Sequence, residues 1–118
     1  MQANKPIYLQ IAEGLEDQIQ AGRYPSDCRL PSVRDAAATW QVNVNTAMRA
    51  FEHLERNHII YNKRGIGYFV CPEAKELITA ARKEQFFAGE MRYFFARLNQ
   101  IGITPDELRE LYSSHLKE

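Results

Sequence analysis

The segment from residue 43 to residue 56 constrains the fold of this chain more than any other, because its residues divide between two sides of a helix. At 100° per residue, apolar side chains fall on one side. These are Ala47, Ala50, Phe51 and Leu54, with Val44 and Met48 at the edge. Polar side chains fall on the other side, and they are Asn45, Thr46, Arg49, Glu52, His53 and Arg56. The side chain of Asn43 can accept a hydrogen bond from the first turn, so we predict an amphipathic helix that starts there.

A glycine-rich hairpin is predicted directly after this helix. Residues 59–61 and 68–70 are rich in β-branched and aromatic side chains, which favours two short strands. The glycines of the intervening loop permit positive φ, and Lys63 and Arg64 place two positive charges at its tip. Glycine alone is a weak sign, since any hairpin can need it. This hairpin follows the helix above and a second helix that precedes it, described below. In that position it predicts a wing that contacts DNA phosphates and a minor groove.

The polar side of the predicted helix carries residue types that recognise bases. Asn45, Thr46 and Arg49 lie in its first two turns, where a recognition helix meets base edges. Arg can bind guanine O6 and N7, Asn can bind adenine, and Thr can contact a phosphate or a thymine methyl group. Taken alone, the helix is explained better as an ordinary solvated surface helix. The adjacent hairpin favours the DNA-binding interpretation.

Two further helices are predicted before this motif. Residues 6–21 carry an apolar side chain at every fourth position, with Pro6 in the first turn and a glycine at the end. A second helix runs from Ser32, its predicted N-cap, to about residue 40, with Asp35 near its start. Arg34 is then free to face DNA, although a surface ion pair explains it equally well.

Several motifs of this region occur together, in a fixed order and spacing. They are Pro6-Ile7-Tyr8-Leu9-Gln10-Ile11, Leu30-Pro31-Ser32-Val33-Arg34, Asn45-Thr46, Arg49-Ala50, Leu54-Glu55 and Arg64-Gly65-Ile66-Gly67-Tyr68-Phe69-Val70. Over about residues 5–71, this pattern closely resembles the DNA-binding domain of the GntR family of bacterial transcription regulators. The resemblance implies DNA contact by Arg34, Asn45, Thr46 and Arg49, with Gly67 at the wing tip.

The chain departs from the family pattern at three positions. Gln41 stands in the turn between the two helices where the family usually has glycine, and a non-glycine residue at positive φ costs about 1 kcal/mol. Val44 stands where relatives often carry Arg or Pro, so one base contact is absent and the operator can differ. Ser26 replaces a usual loop glycine. None of these changes removes the core or the basic surface.

The C-terminal part predicts a pairing segment. Residues 73–101 are expected to form one helix of roughly 40 Å, followed by a last helix that Thr104 caps. A seam of apolar residues spaced 4, 3, 4 and 3 apart follows the long helix. Its members are Phe87, Met91, Phe94, Leu98 and Ile101. Two helices cannot enclose this much aromatic surface, so they either fold back on the preceding domain or pair with a second subunit. We favour a homodimer, and so short a segment resembles the YtrA subfamily.

Charge, hydrophobicity and the cysteine and histidine content limit the classes of protein to which this chain can belong. Across 118 residues the formal net charge is zero, but residues 29–64 contain six Lys and Arg against three Asp and Glu, a local net charge of +3. No apolar run approaches the ~20 residues of a membrane span, and the first five residues lack the apolar core of a secretion signal, so a cytoplasmic location is expected. Cys28, Cys71 and the three histidines have no metal-ligand spacing, and no combination of catalytic side chains occurs. We therefore expect no metal, no cofactor and no enzyme activity; the role of the two cysteines stays open.

The sequence thus predicts a mainly α-helical protein with a small β-hairpin (α+β). Residues 1–71 form a winged helix-turn-helix that binds double-stranded DNA, and residues 72–118 form a helical dimerisation segment. The expected function is sequence-specific transcription regulation, with repression implied by the family, at a palindromic operator bound by a homodimer. The alternative is a winged-helix adaptor that binds protein rather than DNA. An unidentified small-molecule effector is compatible with the sequence, but no residue pattern requires one.

Overall fold

The computed structural model describes residues 5–118, so the expectation about a secretion signal rests mostly on residues 1–4, which lie outside the described part. Within that part the helices and strands follow in the order α1 (Ile7–Gln20), α2 (Val33–Trp40), α3 (Val44–Arg56), β1 (Ile60–Lys63), β2 (Gly67–Val70), α4 (Ala74–Phe86), a π-helical turn (Phe87–Met91), α5 (Arg92–Ile101) and α6 (Pro105–Leu116). The two strands pair antiparallel, with Ile60 opposite Val70. The mainly α fold with one hairpin is confirmed.

Side-chain caps set the start of three helices at the predicted residues. Ser32, Asn43 and Thr104 precede α2, α3 and α6. Each side-chain oxygen accepts a hydrogen bond from the backbone N–H three residues on, at 3.0, 2.9 and 3.2 Å. These bonds satisfy N–H groups that have no partner within the helix, so local sequence determines where each helix begins.

The hydrophobic core lies in an N-terminal compact unit that ends at Ala80. The apolar side of α3 is its centre, since Ala47, Ala50, Phe51 and Leu54 have no exposed surface. The buried stripe of α1 packs against them with Ile11, Ala12, Leu15 and Ile19. Each large side chain removed from water in this way stabilises the fold by about 1.5–3 kcal/mol. The polar side of α3 is left outward.

The turn between α2 and α3 places Gln41 in the left-handed region, with φ 56° and ψ 49°. This is the position where the family usually has glycine. The backbone N–H of Val42 donates to the carbonyl of Ala37 at 3.0 Å and closes the turn. The turn therefore keeps its geometry with a glutamine, at the cost of about 1 kcal/mol of backbone strain.

The predicted regular helix over residues 73–101 is wrong in one respect. A π-helical turn, Phe87–Met91, separates α4 from α5, and it contains Gly89. A π turn holds more residues per turn than an α-helix, so a seam spaced for 3.5 residues per turn shifts to another side of the helix as it crosses. Periodicity alone could not show this, because the apolar residues on each side of the turn keep helical spacing.

The second compact unit runs from Ala81 to Glu118. The first unit extends beyond the wing because Ala74 and Ile78 of α4 are buried in the N-terminal core. The first compact unit therefore ends nine residues after the predicted domain boundary at residue 71. The division at residue 71 into a DNA-binding and a dimerisation segment stays a prediction. Across residues 5–118, no helix has both the length and the apolar character that crossing a bilayer requires.

Candidate nucleic-acid interface

The first two turns of α3 carry the three residues that are predicted to contact bases. Asn45 and Arg49 are exposed and Thr46 is half-buried. The Oδ1 atom of Asn43 accepts from the backbone N–H of Thr46 at 2.9 Å and from its hydroxyl at 3.2 Å. The cap therefore orders the turn that carries these side chains and directs the Thr46 hydroxyl.

Arg49 has a defined position although it is exposed. Its guanidinium carbon lies 4.2 Å from the centre of the Tyr8 ring, a cation–π contact between α3 and α1. Tyr8 is itself packed against the core. At exposed sites such contacts contribute about 0.5–1 kcal/mol, enough to favour one orientation of the side chain. In the sequence, Tyr8 stands only within the first of the quoted motifs, which gives it no contact with Arg49.

Arg34 occupies the second position of α2 and is exposed. The sequence left a surface ion pair and a DNA contact as alternatives for this residue. Among residues 5–118 it forms no salt bridge and donates no side-chain hydrogen bond. Its guanidinium is therefore available to a ligand.

The wing tip is a tight turn between β1 and β2. Gly65 and Gly67 adopt φ of 78° and 146°, values that side chains rarely allow. The backbone N–H of Ile66 donates to the carbonyl of Lys63 at 2.9 Å and closes the turn. The Nζ atom of Lys63 lies 4.6 Å from the centre of the Phe69 ring, while Arg64 is exposed at the tip. The predicted basic, glycine-containing tip is thus formed.

A third cation reaches the wing from outside the hairpin. Arg29 precedes α2, and its Nη2 atom donates to the carbonyl oxygen of Ile66 at 2.7 Å. Its backbone also forms an antiparallel bridge with Phe69. From the sequence, Arg29 is only one of the six cations of residues 29–64. No short motif could link it to Ile66, which is 37 positions away.

Two titratable side chains near the interface have shifted pKa values. Burial and the nearby Arg56 lower the pKa of His53, with Glu13 acting in the opposite direction. His53 is therefore neutral at pH 7. On the hairpin, a hydrogen bond from the Tyr61 hydroxyl to Asp27 raises the pKa of Tyr61 and keeps the phenol a donor.

No feature of the described residues indicates metal chemistry. Within residues 5–118, no three His, Cys, Asp or Glu side chains lie where they could hold a metal ion. Cys28 and Cys71 are free thiols, and burial raises the pKa of Cys71. The raised pKa of Cys71 is the opposite of what a reactive cysteine needs.

The second compact unit contains an open apolar groove of about 1350 Å³. Four members of the predicted seam, Met91, Phe94, Leu98 and Ile101, line it. Phe87 does not line the groove and Phe86 does, which agrees with the shift that the π turn introduces. From Ala81 to Glu118, a range that is fully described, no side chain is buried.

Comparison with known proteins identifies the family. The model of the bacterial regulatory proteins of the gntR family matches residues 7–70, which is more than half of the chain. The chain belongs to the GntR family. It is therefore a DNA-binding transcription regulator, and the matched residues are those that build α1 to α3 and the wing.

Individual GntR relatives match over nearly the whole chain. YhcF of Bacillus subtilis, an uncharacterized HTH-type transcriptional regulator, is 32% identical over 92% of this chain and 88% of its own. The transcriptional repressor YtrA of the same organism is 28% identical over 92% of this chain and 82% of its own. A crystal structure of a GntR-family regulator from Bacteroides thetaiotaomicron is 45% identical, with a TM-score of 0.84 over 95% of this chain and 97% of that chain. These relatives are transcription regulators rather than enzymes.

Proposed function

We propose that this GntR regulator is a bacterial, cytoplasmic repressor of the YtrA-like type, which binds a palindromic operator as a homodimer. One observation carries the proposal. The first turns of α3 expose Asn45 and Arg49, while the same compact unit forms a wing whose tip exposes Lys63 and Arg64.

The two parts of the interface have different tasks. Side chains at the start of α3 would select the sequence, since Arg and Asn can form paired hydrogen bonds to guanine and adenine in the major groove. Cations of the wing and of α2 would neutralise phosphates and provide affinity that depends on salt. The proposed DNA-contacting residues are Arg34, Asn45, Thr46, Arg49, Lys63, Arg64 and Gly67.

The second unit supports the homodimer. Phe94, Ile101 and Leu111 of its groove expose 44%, 60% and 55% of their surface, although each is a large apolar residue. So much apolar surface in one place is typical of an association site, and a second copy of the same unit would cover it with matching surface. The proposed dimerisation residues are Met91, Phe94, Leu98 and Ile101, which line the groove, and Phe87, which lies outside it.

Repression is the proposed direction of control, as the resemblance to the family implies. Two recognition helices related by a two-fold axis would bind half-sites about one helical turn apart. A dimer that overlapped a promoter in this way would exclude RNA polymerase. That the relative YtrA is named a repressor supports this direction of control.

Selection of bound duplexes from a random DNA pool tests the proposal. The expected product is a palindrome with half-sites separated by about 10–10.5 base pairs, bound by two chains per duplex in sedimentation. A pool without enrichment, or an unrepeated site bound by one chain, would contradict it. Transcription in vitro from a promoter that carries the selected site should then fall as protein is added, and a rise would show an activator instead.

A further inference from the structure

Arg29 contacts the wing through both its backbone and its side chain. The backbone N–H of Leu30 donates to the carbonyl of Tyr68 at 2.8 Å, and that of Val70 donates to the carbonyl of Cys28 at 3.0 Å. These bonds flank the bridge between Arg29 and Phe69, so the segment before α2 lies along the outside of β2. The anchored backbone aims the Arg29 side chain along the hairpin toward its tip.

The side chain ends at the turn itself. Its Nη2 atom donates to the carbonyl of Ile66 at 2.7 Å, a short distance that is typical of a bond from a charged donor. A Cβ atom on Gly67 would lie 3.1 Å from the Nε atom of Arg29. Gly67 therefore satisfies two requirements: it allows a φ of 146°, and it leaves room for the guanidinium.

Without the Arg29 contact, few interactions would hold the turn at the wing tip. Beyond the strand pairing, which reaches Lys63 and Gly67, the turn has one further backbone hydrogen bond, from Ile66 to Lys63. The two glycines on either side of Ile66 give the backbone freedom to rotate. A loop that must become ordered on binding loses affinity in proportion to the freedom that it gives up. A contact that orders the tip in the free protein removes that loss.

We propose that Arg29 is a positioning residue, which holds the wing tip in its DNA-binding shape and so places Lys63 and Arg64 against the phosphates. This inference rests on the proposed function, because it assumes that the wing contacts DNA. The task needs a guanidinium, whose planar group donates to Ile66 while it lies over Gly67. The single charge of a lysine does not reproduce that geometry.

The test compares Arg29→Ala and Arg29→Lys with the wild-type chain. Operator affinity is measured over a range of salt concentrations, and hydrogen exchange of the Ile66 amide is measured in the free protein. Both variants should lose about three- to tenfold in affinity, given the usual strength of a partly exposed charged hydrogen bond. Both should also exchange the Ile66 amide faster, with unchanged thermal unfolding. Arg23→Ala, which removes an exposed arginine of the same loop, is the matched control and should change neither quantity.

Three outcomes would overturn the inference. Full affinity in Arg29→Lys, with a smaller salt dependence in Arg29→Ala, would show a simple phosphate contact. Unchanged exchange of the Ile66 amide in both variants would show that Arg29 does not order the tip, and an equal loss in Arg23→Ala would show an effect of net charge. If the wild-type chain bound no duplex, the proposed function would fail, but faster exchange in the variants would still establish that Arg29 holds the turn.

Discussion

The cap of α3 gives the sharpest link between stability and DNA binding. Asn43→Ala removes the acceptor of two hydrogen bonds from Thr46, at 2.9 and 3.2 Å. Asn43 is exposed, so water replaces part of what is lost, and the free energy of unfolding should fall by about 1 kcal/mol. For a unit of this size, that change lowers Tm by roughly 4–8 °C. Because the first turn of α3 carries Asn45 and Thr46, fraying there should also weaken operator binding by about fivefold.

Two matched variants separate the cap from other effects of the substitution. Asn43→Ser keeps a capping oxygen and should restore both Tm and affinity. Asn43→Asp should restore Tm, but its negative charge beside the phosphates should leave affinity low. Thermal unfolding and fluorescence anisotropy with a labelled operator duplex measure the two quantities. Equal Tm values for Asn43→Ala and Asn43→Ser would refute the argument that this hydrogen bond stabilises α3.

Four further predictions concern single features of the molecule. Arg49→Ala should abolish specific binding in a mobility shift while leaving the fold intact, and an unchanged affinity would reject its role. Replacing Lys63 and Arg64 together by Gln should weaken binding to all sequences and flatten its dependence on salt, whereas an unaltered salt slope would count against the wing. Phe94→Asp should yield monomers in sedimentation, and a surviving dimer would place the interface elsewhere. Burial lowers the pKa of His53 in the folded chain, so the unfolded chain binds that proton at a higher pH. The free energy of unfolding should therefore decline as pH falls below about 6.5, and less steeply in His53→Gln. Equal dependence of the free energy of unfolding on pH in the two proteins would contradict this.

Much of the N-terminal unit could be predicted because its determinants are local. The apolar side chains of α3 recur at helical spacing, and all four of the predicted inward residues are buried. Asn43 and Ser32 are capping residues whose bonds span only three positions. The basic tip of the wing follows from glycines and cations within five consecutive residues.

What could not be predicted depends on contacts between distant residues or on a change of helix type. Arg29 reaches Ile66, and Arg49 stacks on Tyr8, through contacts that only the folded chain creates. The π turn places Phe86 instead of Phe87 in the groove. The sequence could not show this, because a regular apolar spacing does not reveal an extra residue within one turn. The position where the core ends is likewise set by Ile78, which is buried in the core of the first unit, and not by the composition of α4.

The placement of α3 in the major groove is tested most directly by methylation interference on the selected operator. Methyl groups on guanine N7 project into the major groove, where Arg49 is expected to bind. Methylation at N7 of one guanine in each half-site should block binding by the wild-type chain. If the selected site contains guanine, and if methylation of every guanine in it left binding undiminished, the account would be contradicted.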